Sequence, residues 1–329
     1  MSDRSGGLDA LPRAGLAVLP TPLTPAPRLS AALGVEVWLK RDDLTGFGLG
    51  GNKVRALDLL MAEAEAQGAD CLVTGGGPQS NWAALAALAA RRSGLDAYLV
   101  LYGPPGPAGG NLVLAELAGA EVCFTGDPDR ASVDRAVAAL GERLAAAGRR
   151  PWLLPRGGAT PLGAVGYLEA CRELEGQLHA LGLAPAELWL ATGSCATQAG
   201  LVAGSRWLGL GWKVIGVSVS RPVDECVQRV TTLAAQAAAL AGVDDGNQAA
   251  PAGAAGGVTV LGGYLGPEYG RASPAGARAA DLVARTEGVL LDPVFAAKAM
   301  AALAAAGPRP GPVVFLVSGG AATLFAGLA

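Results

Sequence analysis

Gly50-Gly-Asn-Lys-Val-Arg55 sets a lysine at the start of an apolar helix, directly behind a glycine pair. Just upstream, Val35-Glu-Val-Trp-Leu-Lys-Arg41 alternates like a half-buried strand and closes on Asp42-Asp43. Downstream, residues 53–66 read as a helix. Strand, glycine bend and helix in succession form the unit from which open α/β sheets are assembled. Most lysines are solvated surface charges. Lys53 differs, because a positive helix end and a packed glycine cradle both lower the pKa of an amine. The neutral amine is the form that attacks a carbonyl, so Lys53 is a candidate nucleophile.

The alternation runs on through the chain. Strands are predicted at 71–74, 96–101, 121–125, 152–155, 187–191, 212–219 and 313–317. Between them, helices are predicted at 81–93, 111–119, 131–147, 162–181, 197–208 and near 293–306. The lead Pro20-Thr-Pro-Leu-Thr-Pro25 is extended, since proline fixes its own φ and restrains the residue before it. The expected class is α/β, with open, twisted parallel sheets flanked by helices. A length of 329 residues suits two such domains sharing a cleft. Residues 242–257, rich in Gly, Ala, Asp and Asn, are expected to form a mobile connection.

Composition removes several classes of function. The net charge is −3 and no basic run is interleaved with aromatics, so a nucleic-acid partner is not expected. No uninterrupted apolar stretch of about 18 residues is present, which argues against a membrane span. Met1-Ser-Asp-Arg-Ser-Gly-Gly7 has neither the charged nor the apolar region of a signal peptide, so a cytoplasmic protein is expected. Cys71, Cys123, Cys171, Cys195 and Cys226 are scattered without a CxxC or a Cys/His cluster. That pattern supports neither a disulfide framework nor a metal site. The single histidine, His179, lies in a polar stretch, which disfavours hydrolases that use a histidine base.

Three glycine-rich turns follow predicted strands. Thr74-Gly-Gly-Gly-Pro-Gln-Ser-Asn81 leads into a helix whose free N–H groups suit a carboxylate. Ala191-Thr-Gly-Ser-Cys-Ala-Thr197 also opens a helix, and its hydroxyls suit a phosphate monoester. Ser318-Gly-Gly320 closes the last strand. None is a P-loop, and no Gly-x-Gly-x-x-Gly opens a dinucleotide-binding unit. A phosphate loop, a carboxylate loop and a cradled lysine together fit an amino-acid enzyme that uses pyridoxal 5′-phosphate (PLP).

At this point the chain resembles the 1-aminocyclopropane-1-carboxylate deaminase / D-cysteine desulfhydrase family, within the fold-type-II PLP enzymes. The match rests on Leu39-Lys-Arg-Asp-Asp-Leu44, Gly50-Gly-Asn-Lys-Val-Arg55, Gly77-Pro-Gln-Ser-Asn81 and Arg156-Gly-Gly-Ala-Thr160 with Gly163-Ala-Val-Gly-Tyr167. It continues through Val214-Ile-Gly-Val-Ser-Val-Ser-Arg-Pro222, Gly266-Pro-Glu-Tyr-Gly270, Glu287-Gly-Val-Leu-Leu-Asp-Pro-Val294 and Ser318-Gly-Gly320. The resemblance implies a large domain of residues 1–51 plus 161–329, a small domain of 52–160, and PLP in the cleft between them. It implies that Lys53 carries the cofactor and moves the Cα proton, and that Asn81 meets the ring hydroxyl. Gln79 and Ser80 would receive the substrate carboxylate. Thr192, Gly193, Ser194, Cys195, Ala196 and Thr197 would wrap the phosphate. Ser318 would face the pyridine nitrogen, with Tyr269 over the substrate and Ser80 and Tyr269 beside Lys53 in the chemistry. A homodimer acting on a small amino acid is implied as well.

Ser318 has a chemical consequence. A hydroxyl does not hold the pyridine nitrogen protonated, which disfavours transamination and favours loss of a good β-leaving group. D-Cysteine desulfhydrase-like elimination, giving pyruvate, ammonia and sulfide, is therefore expected. Ring-opening deamination and cofactor binding without turnover stay open. Five departures from the family pattern bear on that choice. Phe295 and Ala296 replace a tyrosine and an acidic residue, which weakens ring opening. Trp82 stands where a polar residue is usual, so it either narrows the pocket or packs. Ala56 removes a lysine that often supports the phosphate. Cys195-Ala196 replaces a glycine pair, so a different backbone approach is expected there.

Overall fold

The computed structural model describes residues 7–107, 109–243, 257–267 and 269–326. The connection expected at 242–257 lies, except for its ends, outside the described residues. Two separate sheets organise the rest. The larger contains β1 (Leu23–Pro25), β2 (Val37–Lys40), β7 (Glu187–Thr192), β8 (Lys213–Ser218), β9 (Thr259–Leu261) and β10 (Val313–Leu316). Their order is β1-β2-β10-β7-β8-β9, parallel throughout except for β1. The extended proline lead thus becomes an antiparallel edge strand, with Leu23 opposite Lys40. An edge is where a strand tolerates proline, because one side of its backbone needs no partner.

The smaller sheet contains β3 (Cys71–Gly76), β4 (Asp96–Leu101), β5 (Glu121–Phe124) and β6 (Pro151–Leu153), all parallel in the order β5-β4-β3-β6. Every residue of β3 is buried, whereas edge strand β5 alternates toward solvent.

The period-two rule assigns the faces of the larger sheet. Leu188, Leu190, Val314 and Leu316 pack against α6 (Pro161–Leu181), α7 (Ala196–Trp207) and α8 (Val223–Ala241). Trp189, Val313 and Phe315 face α1 (Pro27–Leu33), α9 (Pro274–Glu287) and α10 (Ala296–Ala305). In the smaller sheet, Leu72, Leu99 and Leu101 meet α2 (Lys53–Ala66), α3 (Asn81–Arg92) and α4 (Asn111–Leu117). Val73, Tyr98 and Val100 meet α5 (Ser132–Ala146) on the opposite face.

Close helix approach joins the two halves. A Cβ on Gly166 of α6 would sit 2.6 Å from the Arg55 carbonyl of α2; within the larger half, one on Gly200 of α7 would sit 2.1 Å from the Ala164 carbonyl of α6. Ala56 lies in this α2–α6 contact and is buried. Ala56, read above as the loss of a phosphate-supporting lysine, is therefore part of a tight packing seam.

A buried ionic cluster ties α2 to β2 and α6. Arg55 donates to both oxygens of Asp42, at 2.8 and 3.0 Å, and to both oxygens of Glu173, at 3.0 and 2.9 Å. Tyr167 and Thr21 donate to Asp42, and Lys40 pairs with Glu173. Burial opposes ionisation of Asp42, yet Arg55, Tyr167 and Thr21 outweigh it and hold the carboxyl below its ordinary value. Lys40, Asp42 and Arg55 of the quoted motifs at 39–44 and 50–55 are, in this sense, one structural unit.

Candidate functional site

The C-terminal ends of both sheets open onto one cleft, as expected for open α/β architectures. Lys53 enters it from the first position of α2. Its Nζ lies 3.3 Å from Ser194 Oγ and 3.4 Å from the Gly157 carbonyl oxygen. Burial pushes this amine down to about 8, only partly opposed by the nearby Cys195. The glycine pair before it is sterically required. Gly51 has φ +124°, and a Cβ on Gly50 would stand 2.0 Å from the Asp43 carbonyl oxygen. The segment is pinned further where the Asn52 N–H donates to the Ser318 carbonyl at 2.9 Å.

The turn from β7 into α7 forms one wall through Thr192, Gly193, Ser194, Cys195 and Thr197. Cys195 has φ +79°, which makes it the sole non-glycine residue in the left-handed region among the described residues. Instead of redirecting the backbone, cysteine has kept the path a glycine would take, at a cost of about 1–2 kcal/mol. Its thiol is buried beside that of Cys226. No side chain caps α7, so its first N–H groups are available to an anion. Thr197 Oγ1 accepts from Asn52 Nδ2 at 3.0 Å and keeps its own proton to donate. Thr192 is different: its hydroxyl donates to Gln198 Oε1 at 2.7 Å, so it lines the cleft as a buttress. Ala196 is buried and does not line the cleft.

The start of α3 forms the facing wall. Ser80 is its N-cap and accepts from the Ala83 N–H at 3.2 Å, while Asn81 Oδ1 accepts from Asn111 Nδ2 at 2.5 Å. Gln79 does not line the cleft. Its amide donates to the Gly109 carbonyl at 2.9 Å and accepts from the Asn111 N–H at 3.0 Å, so it shapes the neighbouring turn. Trp82 combines both roles expected of it. It lines the cleft, and its buried indole donates to Thr74 Oγ1 at 2.8 Å and covers Gly158.

Ser318 follows β10 at the cleft floor, with no hydrogen-bond partner for its hydroxyl among the described residues. Tyr269 and Phe295 meet edge to face, 6.3 Å apart with 72° between their planes. Phe295 is positioned by Asp292, which accepts from the N–H groups of Val294, Phe295 and Ala296 at 3.1, 2.8 and 2.8 Å. Ala296 is buried at the start of α10 and stands outside the cleft.

Asn52, Tyr102, Gln198 and three arginines, Arg130, Arg156 and Arg221, also line the cleft. Arg156 and Arg221 stand in the motifs Arg-Gly-Gly and Ser-Arg-Pro, which flagged their segments without assigning them a role. Arg130 lies in the connection between β5 and α5 and has no local signal at all. Among the described residues, no group of His, Cys, Asp and Glu side chains could hold a metal ion.

These donors fit PLP on chemical grounds. An amine made less basic by burial suits its aldehyde, and an uncapped helix end with Ser194 and Thr197 suits its phosphate. The Ser318 hydroxyl suits its ring nitrogen.

Residues 15–319 match the family model for pyridoxal-phosphate dependent enzymes. The chain is 38% identical to a D-cysteine desulfhydrase of Yersinia enterocolitica, with 97% of each chain covered. It superposes on a solved 1-aminocyclopropane-1-carboxylate (ACC) deaminase homologue with TM-score 0.88 at 33% identity, covering 99% of this chain and 97% of the other. A fungal L-serine ammonia-lyase from Rhizomucor miehei shares the fold, with TM-score 0.66 at 20% identity over 92% of this chain and 94% of that one.

Proposed function

We propose, from the premise that the chain belongs to the pyridoxal-phosphate dependent enzymes, that it eliminates the β-substituent of a small amino acid. D-Cysteine is the substrate this reading favours, with pyruvate, ammonia and sulfide as products. The relatives at 38% identity carry that name over nearly their whole length. One structural observation carries the reading: Lys53 Nζ stands in the same cleft as the open end of α7 and the start of α3.

When bound, the cofactor supplies an electron sink for the pair released as the Cα–H bond breaks. The α7 N-terminus, with Ser194 and Thr197, would hold its phosphate. Ser318 would meet the ring nitrogen through a hydroxyl, which does not keep that nitrogen protonated. Ser80 and Asn81, at the positive end of α3, receive the substrate α-carboxylate. Lys53, with its lowered basicity, takes the Cα proton, and Tyr269 covers the substrate from the side of Phe295. Phe295 offers no phenol, which disfavours the ring-opening reaction suggested by the name of the ACC deaminase homologue.

This reading includes a large domain of 1–51 with 161–329 and a small one of 52–160, a homodimer, and a cytoplasmic location. Among the described residues, no helix is long and apolar enough to cross a membrane. The test is direct. Purified protein given D-cysteine should release sulfide and pyruvate in equal amounts. Lys53→Ala should abolish both, along with the visible absorption of lysine-bound cofactor. A cofactor-loaded protein that forms keto acid from neither D-cysteine nor any other β-substituted amino acid would overturn the reading.

A further inference from the structure

We infer that Cys195 and Cys226 are a redox modification site, which a hydroperoxide closes to a disulfide when the cofactor has left, weakening the cofactor's return. The inference goes beyond the elimination reading: it rests on the phosphate end of the cleft and not on the substrate.

Both thiols are free, and they hydrogen-bond to one another. Cys195 is the left-handed residue that opens α7, in the turn assigned to the cofactor phosphate, and Cys226 lies in the first turn of α8. Both side chains are buried, but Cys195 lines the cleft, so a small solute reaches it from there. Their other contacts are long. Cys195 Sγ lies 3.9 Å from the Gly193 carbonyl oxygen, and Cys226 Sγ lies 3.7 Å from Ser218 Oγ. Neither contact holds the two sulfurs apart.

Their surroundings favour a reactive pair. The hydrogen bond from Cys195 holds the Cys226 thiol below its ordinary value against burial, and Arg221 helps. The same hydrogen bond makes Cys195 keep its proton, so the pair ionises once and shares what remains. That shared proton passes between the sulfurs, which lets the cleft-facing Cys195 act as the thiolate. Two other thiols lack this help. Burial pushes Cys71 up to about 11 and raises Cys171 further, so both stay protonated and inert.

Atoms and electrons balance. The thiolate attacks one peroxide oxygen, the O–O bond breaks, and the departing oxygen takes a proton to leave as water. The second sulfur attacks the sulfenic acid so formed, and its proton leaves with the sulfenic oxygen as a second water. Two thiols and one hydrogen peroxide become one disulfide and two waters. The sulfurs thereby close from hydrogen-bond contact to a bond of about 2.05 Å. The turn that opens α7 is drawn toward α8, away from the position in which its N–H groups meet a phosphate. A bound phosphate, in turn, covers the approach to Cys195 and protects the pair.

The experiment treats cofactor-loaded and cofactor-free protein with hydrogen peroxide and maps disulfides by mass spectrometry of unreduced peptides. The expected result is a Cys195–Cys226 link that forms about tenfold faster, or more, in the cofactor-free protein. Absorbance titration of the linked protein with PLP should show binding weakened about tenfold or more, and dithiothreitol should restore it. Cys226→Ala should bind PLP as the untreated wild type does and, with peroxide, stop at a sulfenic acid on Cys195 that dimedone traps. Peroxide that links other cysteines or none, or that acts equally fast with the cofactor bound, overturns the inference. So does a linked protein that binds PLP as tightly as the reduced one. Reduced protein that takes up no PLP overturns the cofactor reading and this inference with it. Turnover of D-cysteine by the reduced, loaded protein is read separately, so the elimination reading stands or falls on its own.

Discussion

At the scale of single residues, Lys53 is suited to its proposed role because folding strips its amine of water. With its pKa near 8, about a tenth of the amine is neutral at pH 7, against about three parts in ten thousand for an ordinary lysine. Capture of PLP by cofactor-free protein should therefore accelerate about tenfold per pH unit below 8 and level off above it. Stopped-flow absorbance measures this, and a midpoint near 10.5 would contradict the buried setting. Lys53, Ser80, Asn81, Trp82, Tyr269, Phe295 and Ser318 were legible from motifs, because each sits in a short segment with its own local chemistry. Gln79 and Thr192 were legible as neighbours of the site but not as structural supports. Their hydrogen-bond partners, Gly109, Asn111 and Gln198, are set by packing. Arg130 was invisible, since only the tertiary fold brings the β5–α5 connection to Tyr269.

At the scale of elements, the junction between β7 and α7 depends on one left-handed residue. Cys195→Gly should keep PLP affinity within about threefold, because glycine adopts that backbone without strain. Cys195→Val should lower affinity by about tenfold or more, because a β-branched side chain strongly resists positive φ. Titration of the cofactor-free variants with PLP measures both. Strands and helices that follow a clear change of period were readable along the chain. Helices α1, α8 and α9 and strand β9 were not, because Ala- and Gly-rich stretches offer little contrast between a helix and its surroundings. The antiparallel pairing of β1 was also out of reach, since an extended proline lead does not name its partner.

At the scale of the whole molecule, the Arg55 cluster joins α2, and with it Lys53, to the larger sheet. Arg55→Leu leaves Asp42 and Glu173 without their shared cation and should cost about 3–5 kcal/mol in urea unfolding. The same carboxyls give an acid signature. Burial alone would raise Asp42 and Glu173, but their partners hold both below their ordinary values. Stability from a lowered carboxyl is present above its unfolded pKa and is lost as pH falls through the folded one. The wild type should thus lose stability progressively as pH falls below about 4, and less steeply in Arg55→Leu. Local sequence by itself determined the α/β alternation, the glycine turns and the lysine at a helix start, because period, backbone freedom and helix-end charge act over a few residues. Which charges are paired around the cleft, which polar groups become supports, and that Arg130 lines the cleft without a carboxylate partner among the described residues were decided only by the tertiary structure. Those outcomes depend on segments about a hundred residues apart meeting at helix seams where glycine alone leaves room.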